Sequence, residues 1–206
     1  MFLGGVTRNM AKVKLGCAGN SADRVKKLLA AYTGYSNYAD GSPYDEVFLE
    51  VQAGAERSGS VGKADIGALM LWKRLNLSTK WARALNNMPD RDVREITGEA
   101  IKLARDPLAP IPDAARQARQ ALVGLPGCRN GHAVASTILT AGAPTRMAVY
   151  DVRAIRALGD LGCPAPKGRY GDYMEAVVGL LEEVNQTGAT WCPRDVDRAL
   201  FMLGEG

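Results

Sequence analysis

Asp151 is the one acid in a stretch otherwise rich in arginine. Between Ala114 and Arg156 it stands against Arg116, Arg119, Arg129, Arg146, Arg153 and Arg156, so this stretch carries +5 in a 206-residue chain of net charge +4. A carboxylate held among cations stays ionised. It can then stabilise positive charge developing on a reacting group, or orient and deprotonate a water molecule. Its position also allows a plainer role: Tyr150-Asp151-Val152 opens the pattern VRAIRAL, where an aspartate caps the helix that follows. One residue can serve both ends, because a helix N-terminus fixes a carboxylate and favours its charge.

Other chemistries lack their residues. Cys17, Cys128, Cys163 and Cys192 form no CxxC or CxH pair, so neither a zinc site nor a cysteine-ligated cluster is expected, and no metal or cofactor is assigned. They read as four free thiols of a reducing cytosol. The N-terminal stretch MFLGGVTRNMAKVKLG lacks the apolar run of a signal peptide, and no segment approaches the roughly 18 apolar residues of a membrane span. The expected location is therefore cytoplasmic.

Helices must position Asp151, because helical periodicity dominates and strand signals are almost absent. Asn20-Ser21-Ala22-Asp23 caps a helix bearing Val25, Leu28 and Leu29 that ends near Gly34, and Pro43 opens a second with Val47, Val51 and Ala55. Further helices follow at Lys63 to Leu75, after a cap at Ser78, and from Pro89 or Asp90 through Leu103. DPLAPIPD, at 106–113, is a linker and the place for a lobe boundary, with Pro112 suited to the first turn of the next helix. Beyond it lie the arginine-bearing helix to Leu122, a helix from near Asn130, the Asp151 helix, and helices over Tyr170 to Thr187 and Pro193 to Leu203. The expected fold is all-α, roughly ten helices in a single domain over 1–206, arranged as one or two lobes, with a hairpin over 114–142.

The hairpin turn reads Leu125-Pro126-Gly127-Cys128-Arg129-Asn130-Gly131-His132-Ala133, and Asp151 follows Ala133 by 18 residues. Pro126 fixes the direction of the chain and Gly127 tolerates positive φ. Gly131, Ala133, Ala135 and Ser136 let two helices approach closely, and amides at the start of the second helix suit a DNA phosphate. His132, the only histidine, reads as a helix-surface residue or phosphate contact.

Over Leu122 to Arg156 the chain resembles the helix-hairpin-helix (HhH-GPD) DNA glycosylase superfamily. The resemblance implies a monomeric glycosylase-like fold on double-stranded DNA, nucleoid-associated, that flips a damaged or modified base and excises it, with Asp151 as the catalytic carboxylate. It places Gly124, Pro126, Gly127, Arg129, Asn130, Gly131, His132 and Arg153 at the DNA, with Tyr35, Tyr38 and Tyr150 as base-pocket rings. Two positions depart from the family pattern. Arg129 stands where a second hairpin glycine is usual, which Asn130 can offset by adopting left-handed geometry. Gly131 stands where lyase-competent members carry a Schiff-base lysine, so the implied enzyme is monofunctional, without lyase activity. Two alternatives share the same residues: a glycosylase-fold enzyme acting on hypermodified bases of phage-type DNA, and a non-catalytic DNA-binding module.

Overall fold

A computed structural model describes residues 17–39, 43–164 and 166–205, with the backbone alone at 36–39. The N-terminal stretch read above for a signal peptide lies outside them, as does the Tyr38 side chain. The described residues form ten α-helices and no strand: α1 (Ser21–Ala39), α2 (Glu46–Ser58), α3 (Lys63–Trp72), α4 (Lys80–Asn87), α5 (Asp90–Arg105), α6 (Ile111–Ala121), α7 (Ala133–Gly142), α8 (Val152–Asp160), α9 (Tyr170–Asn185) and α10 (Pro193–Leu203). Short 3-10 turns occupy Pro43–Asp45 and Leu122–Gly124. None of the helices is long and apolar enough to cross a membrane.

The sequence AVASTILTAG makes α7 the centre of the packing, because it has no charge and every residue from Val134 to Gly142 is buried. Its hydroxyls are satisfied within the helix: Thr137 Oγ1 donates to the Ala133 carbonyl (2.7 Å) and Thr140 Oγ1 to that of Ser136 (2.8 Å). Small residues set the spacing to α5. A Cβ at Gly142 would lie 2.3 Å from Ile101 Cγ1. Arg146 then donates to the carbonyls of Ala104 (3.0 Å) and Ala109 (2.7 Å), closing the turn between α5 and α6. These two helices pack on each other and one connected core crosses them, so the proline-rich stretch is a tight turn inside that core.

Local signals place most helix starts within a few residues. Asn20 Oδ1 accepts the Ala22 amide (2.9 Å) as a cap should, and Pro112 lies in the first turn of α6. Four expectations need correction. Thr79, not Ser78, caps α4 through the Ala82 amide (3.2 Å). The first helix passes Gly34 and continues to Ala39, because its second half packs on α10, where Tyr35 meets Phe201 edge-on at 6.2 Å. The hairpin's second helix starts at Ala133 rather than near Asn130, because Gly131 takes the left-handed conformation (φ 86°) and Asn130 does not. Cys17 and Cys163 are joined by a disulfide across 146 residues, beside the Ala18 N–H to Gly162 carbonyl bond (2.8 Å). Only Cys128 and Cys192 are free thiols, so cysteine usage no longer argues for a reducing compartment.

Candidate active site

Asp151 is the N-cap of α8: its Oδ1 accepts the Arg153 amide at 2.8 Å, as the sequence pattern required. Its other oxygen has a partner that the sequence did not announce. Oδ2 forms an ion pair with the ammonium of Lys73, the residue that ends α3, and the side chains are 21% and 8% exposed. Burial pushes the Asp151 carboxyl up, but the Lys73 charge and hydrogen bond, with the Arg153 amide and charge, outweigh it and hold the carboxyl below its ordinary value. It is a fixed, ionised carboxylate.

Beside the pair opens a cleft of about 180 Å³, room for about six water molecules. Its walls include the rings of Tyr35, Tyr44, Trp72 and Phe201. Its charges are Lys73, Arg74, Arg153 and Arg194 against Asp151, Asp197 and Glu205. Four separate parts of the chain meet here: α1, the Tyr44 to Arg74 region, the stretch leading into α8, and α10.

A buried polar layer supports the cleft. Asp45 accepts from the Tyr35 hydroxyl (2.8 Å) and the Trp72 indole N–H (3.1 Å). Asp197, 1% exposed, accepts the Val149 amide (3.1 Å) and pairs with Arg194 one helical turn earlier. Burial pushes the Asp197 carboxyl up against the pull of Arg194 and that amide. Arg194 lies over the rings of Phe48 (5.1 Å) and Trp72 (5.4 Å). Its Nε and Nη2 are buried and have no hydrogen-bond acceptor; Asp45 Oδ1, at 3.8 Å from Nη2, is beyond reach. These two nitrogens form one edge of the guanidinium, closed off from solvent in the buried layer and facing no nearer anion than Asp45. Leaving such groups unsatisfied is costly unless something occupies them.

The hairpin forms a second, separate region. Gly127 takes φ 90°, and a Cβ there would lie 2.7 Å from Trp81 Cε3, so glycine is needed for both conformation and contact. Gly124, Arg129, Asn130 and Gly131 are exposed, Pro126 is half-buried, and none of these lines the Asp151 cleft. His132 is a structural link, not an exposed phosphate contact. Its Nδ1 accepts from Arg119 Nε (3.2 Å), so its Nε2–H donates to the Gly168 carbonyl (2.5 Å), tying the hairpin to the loop before α9. Its ring packs on Tyr150 (5.0 Å), which in turn meets Tyr173 (5.2 Å). Tyr150 therefore faces away from the cleft lining, whereas Tyr35 belongs to it.

Most of the arginine cluster is committed internally. Arg116 pairs with Asp113 and Glu175, Arg119 holds His132 and the Gly131 carbonyl, and Arg146 holds the α5–α6 turn. Arg153 pairs with Glu205 (2.6 Å) over the Phe201 ring, and Arg156 donates to the Gly204 carbonyl (3.4 Å). Arg129 alone is exposed and makes no ion pair or hydrogen bond among the described residues. The local +5 is thus a long-range field more than a row of free contacts.

Sequence reasoning missed Lys73, Tyr44, Phe201, Asp45, Arg194 and Asp197. One signal was available in PRDVDRAL: Arg194 and Asp197 fall on the buried stripe with Val196 and Leu200, an unusual place for a charged i, i+3 pair. Among the described residues no group of three or more His, Cys, Asp or Glu side chains could hold a metal ion. No protein-family model, no curated protein and no solved structure matches this chain.

Proposed function

We propose that this chain is a DNA glycosylase-like N-glycosyl hydrolase, which flips a damaged or modified base out of duplex DNA into the Asp151 cleft and hydrolyses its N-glycosidic bond. The observation that carries this reading is an ionised, doubly anchored carboxylate on the wall of a small cleft with aromatic walls. Breaking the bond develops positive charge on the deoxyribose, and Asp151 stabilises that charge and orients the attacking water. Tyr44 and Phe201 supply aromatic walls against which a flipped base can pack. The exposed hairpin with Arg129 holds backbone phosphate away from the cleft, a positioning role that carries no base information.

Duplexes carrying a panel of damaged and modified bases test the proposal. Base release that disappears in Asp151→Asn while duplex affinity persists supports it. No release from any member, with binding intact, reduces the chain to a DNA-binding module.

A second reading, action on a hypermodified base, is favoured by one observation. The cleft holds four cations against three carboxylates, and this surplus of positive charge suits an anionic substituent on a base better than a neutral ring. Duplexes that differ only in whether the substituent is anionic separate the two readings.

A further inference from the structure

Arg74 is the one residue other than glycine with a positive φ among the described residues, at 57°. It stands just past α3, after the Lys73 cap. The Arg74 amide donates to the Leu71 carbonyl (3.0 Å) and the Leu75 amide to the Met70 carbonyl (3.0 Å). This is the hydrogen-bond pattern of a Schellman turn, whose left-handed position is usually glycine. An arginine there carries backbone strain that a glycine avoids. Little among its contacts offsets that strain. The dipole of α3 is already met by Lys73 at the cap, and the approach of Arg74 to the Tyr44 ring (5.8 Å) is a weak contact at an exposed side chain.

The same residue carries the uncompensated charge of the cleft. The lining holds four cations and three carboxylates, and each carboxylate already has a cation: Asp151 has Lys73, Asp197 has Arg194 and Glu205 has Arg153. Arg74 is left over, with no ion pair or side-chain hydrogen bond among the described residues. Strain and surplus charge thus fall on one exposed guanidinium beside an aromatic wall, with its donors available to a planar or tetrahedral oxyanion.

We propose that Arg74 is the phosphate-binding residue of the cleft and takes the sugar phosphate of a nucleotide whose base packs against Tyr44 and Phe201. This rests on the reading of the cleft as a nucleotide site. The guanidinium fork meets two phosphate oxygens, and no buried pair has to break to admit them. The left-handed turn is retained with an arginine because the fork is needed at that place, at the expense of stability.

Calorimetric titration with the four natural deoxynucleoside 5′-monophosphates, each against its own nucleoside, tests this. At least one monophosphate is expected to bind about tenfold tighter than its nucleoside, and that advantage should shrink to within about twofold in Arg74→Gly and Arg74→Asn. Both replacements accept the left-handed turn, so binding should be lost while the melting temperature of Arg74→Gly rises by about 2–4 °C. Monophosphates that bind no tighter than nucleosides, or an advantage that survives both replacements, overturn the proposal. So does a lower melting temperature in both variants, which would make the arginine a structural residue. An Arg74→Gly effect confined to duplexes with an anionic base substituent also overturns it, because the anion met is then on the base. Arg74-dependent binding of a monophosphate, with no binding of any duplex, supports the phosphate site and removes the DNA reading. Base release from a duplex with no Arg74-dependent phosphate binding does the reverse.

Discussion

Around Gly127 the chain uses small residues to bring backbone close to backbone; around Asp151 it brings charged residues together from distant segments. The hairpin is a local object, two left-handed glycines and a proline within six residues, with its histidine and Arg119 turned inward as struts. The cleft is a tertiary object, in which Lys73, Asp151, Arg194 and Asp197 come from three different elements. The two regions meet at Tyr150, whose amide is held by Ser136 Oγ of α7 (2.9 Å) and whose ring packs on His132. Rigidity was built where position matters, and ionised groups were gathered where chemistry can occur. A duplex held at the hairpin would thus be placed by one region and acted on by the other.

Substitutions can separate these two roles. The largest effect is expected at Asp151→Asn, where base release should fall about 10²- to 10⁴-fold with duplex affinity unchanged. An equal loss of binding would mean that the regions are not separable. Next is Arg194→Met, which leaves Asp197 buried without its cation and should cost about 3–5 kcal/mol in a denaturant melt. A neutral result would show that the polar layer beneath the cleft is dispensable. Gly127→Ala tests the hairpin in the same units: the strained φ and the Trp81 contact should cost about 1–3 kcal/mol and weaken duplex binding while leaving the Asp151 environment intact.

Lys73→Met is read by pH. The Asp151 carboxyl is lowered in the fold, so its ionised form adds stability above the unfolded value near about 3.9, and that stability is lost as pH falls through the lower folded value. Without Lys73 the folded value rises, and the acid limb of base release should move up by about one pH unit or more. An unmoved limb would detach Lys73 from the chemistry. The smallest effect belongs to Arg129→Ala, which should change stability by less than about 0.5 kcal/mol and reduce the salt slope of duplex binding by about one. Affinity unchanged across a salt titration would remove the hairpin as a phosphate contact.

Much of the helical framework was legible because its signals are local. Caps such as Asn20 and Asp151, the prolines in the first turns of α6 and α10, and the apolar stripes of α2 and α5 act within one or two turns of themselves. The misplaced start of α7 has a local cause too, whereas α1 runs past Gly34 because it packs on α10. At α7 the competition between Asn130 and Gly131 for one left-handed position was won by the residue without a Cβ.

The site was legible only in part, and for a different reason. Charge counting treated six arginines as one surface, yet Arg116 and Arg153 are paired with Glu175 and Glu205, acids outside the segment counted. The tyrosines illustrate the same limit: Tyr35 enters the cleft because α1 packs on α10, and Tyr150 leaves it because His132 offers a ring on the other side. Periodicity specifies a helical face but not what that face meets.

The sequence alone determined an all-helical chain, a glycine-dependent turn and a carboxylate fixed at a helix N-terminus, because dihedral preference and capping depend on near neighbours. Only the tertiary structure decided that Lys73 meets Asp151, that Arg194 lies buried over Phe48 and Trp72, and that Cys17 meets Cys163. Those contacts join residues brought together by burying helix faces, and such burial is specified by the whole core rather than by any one segment.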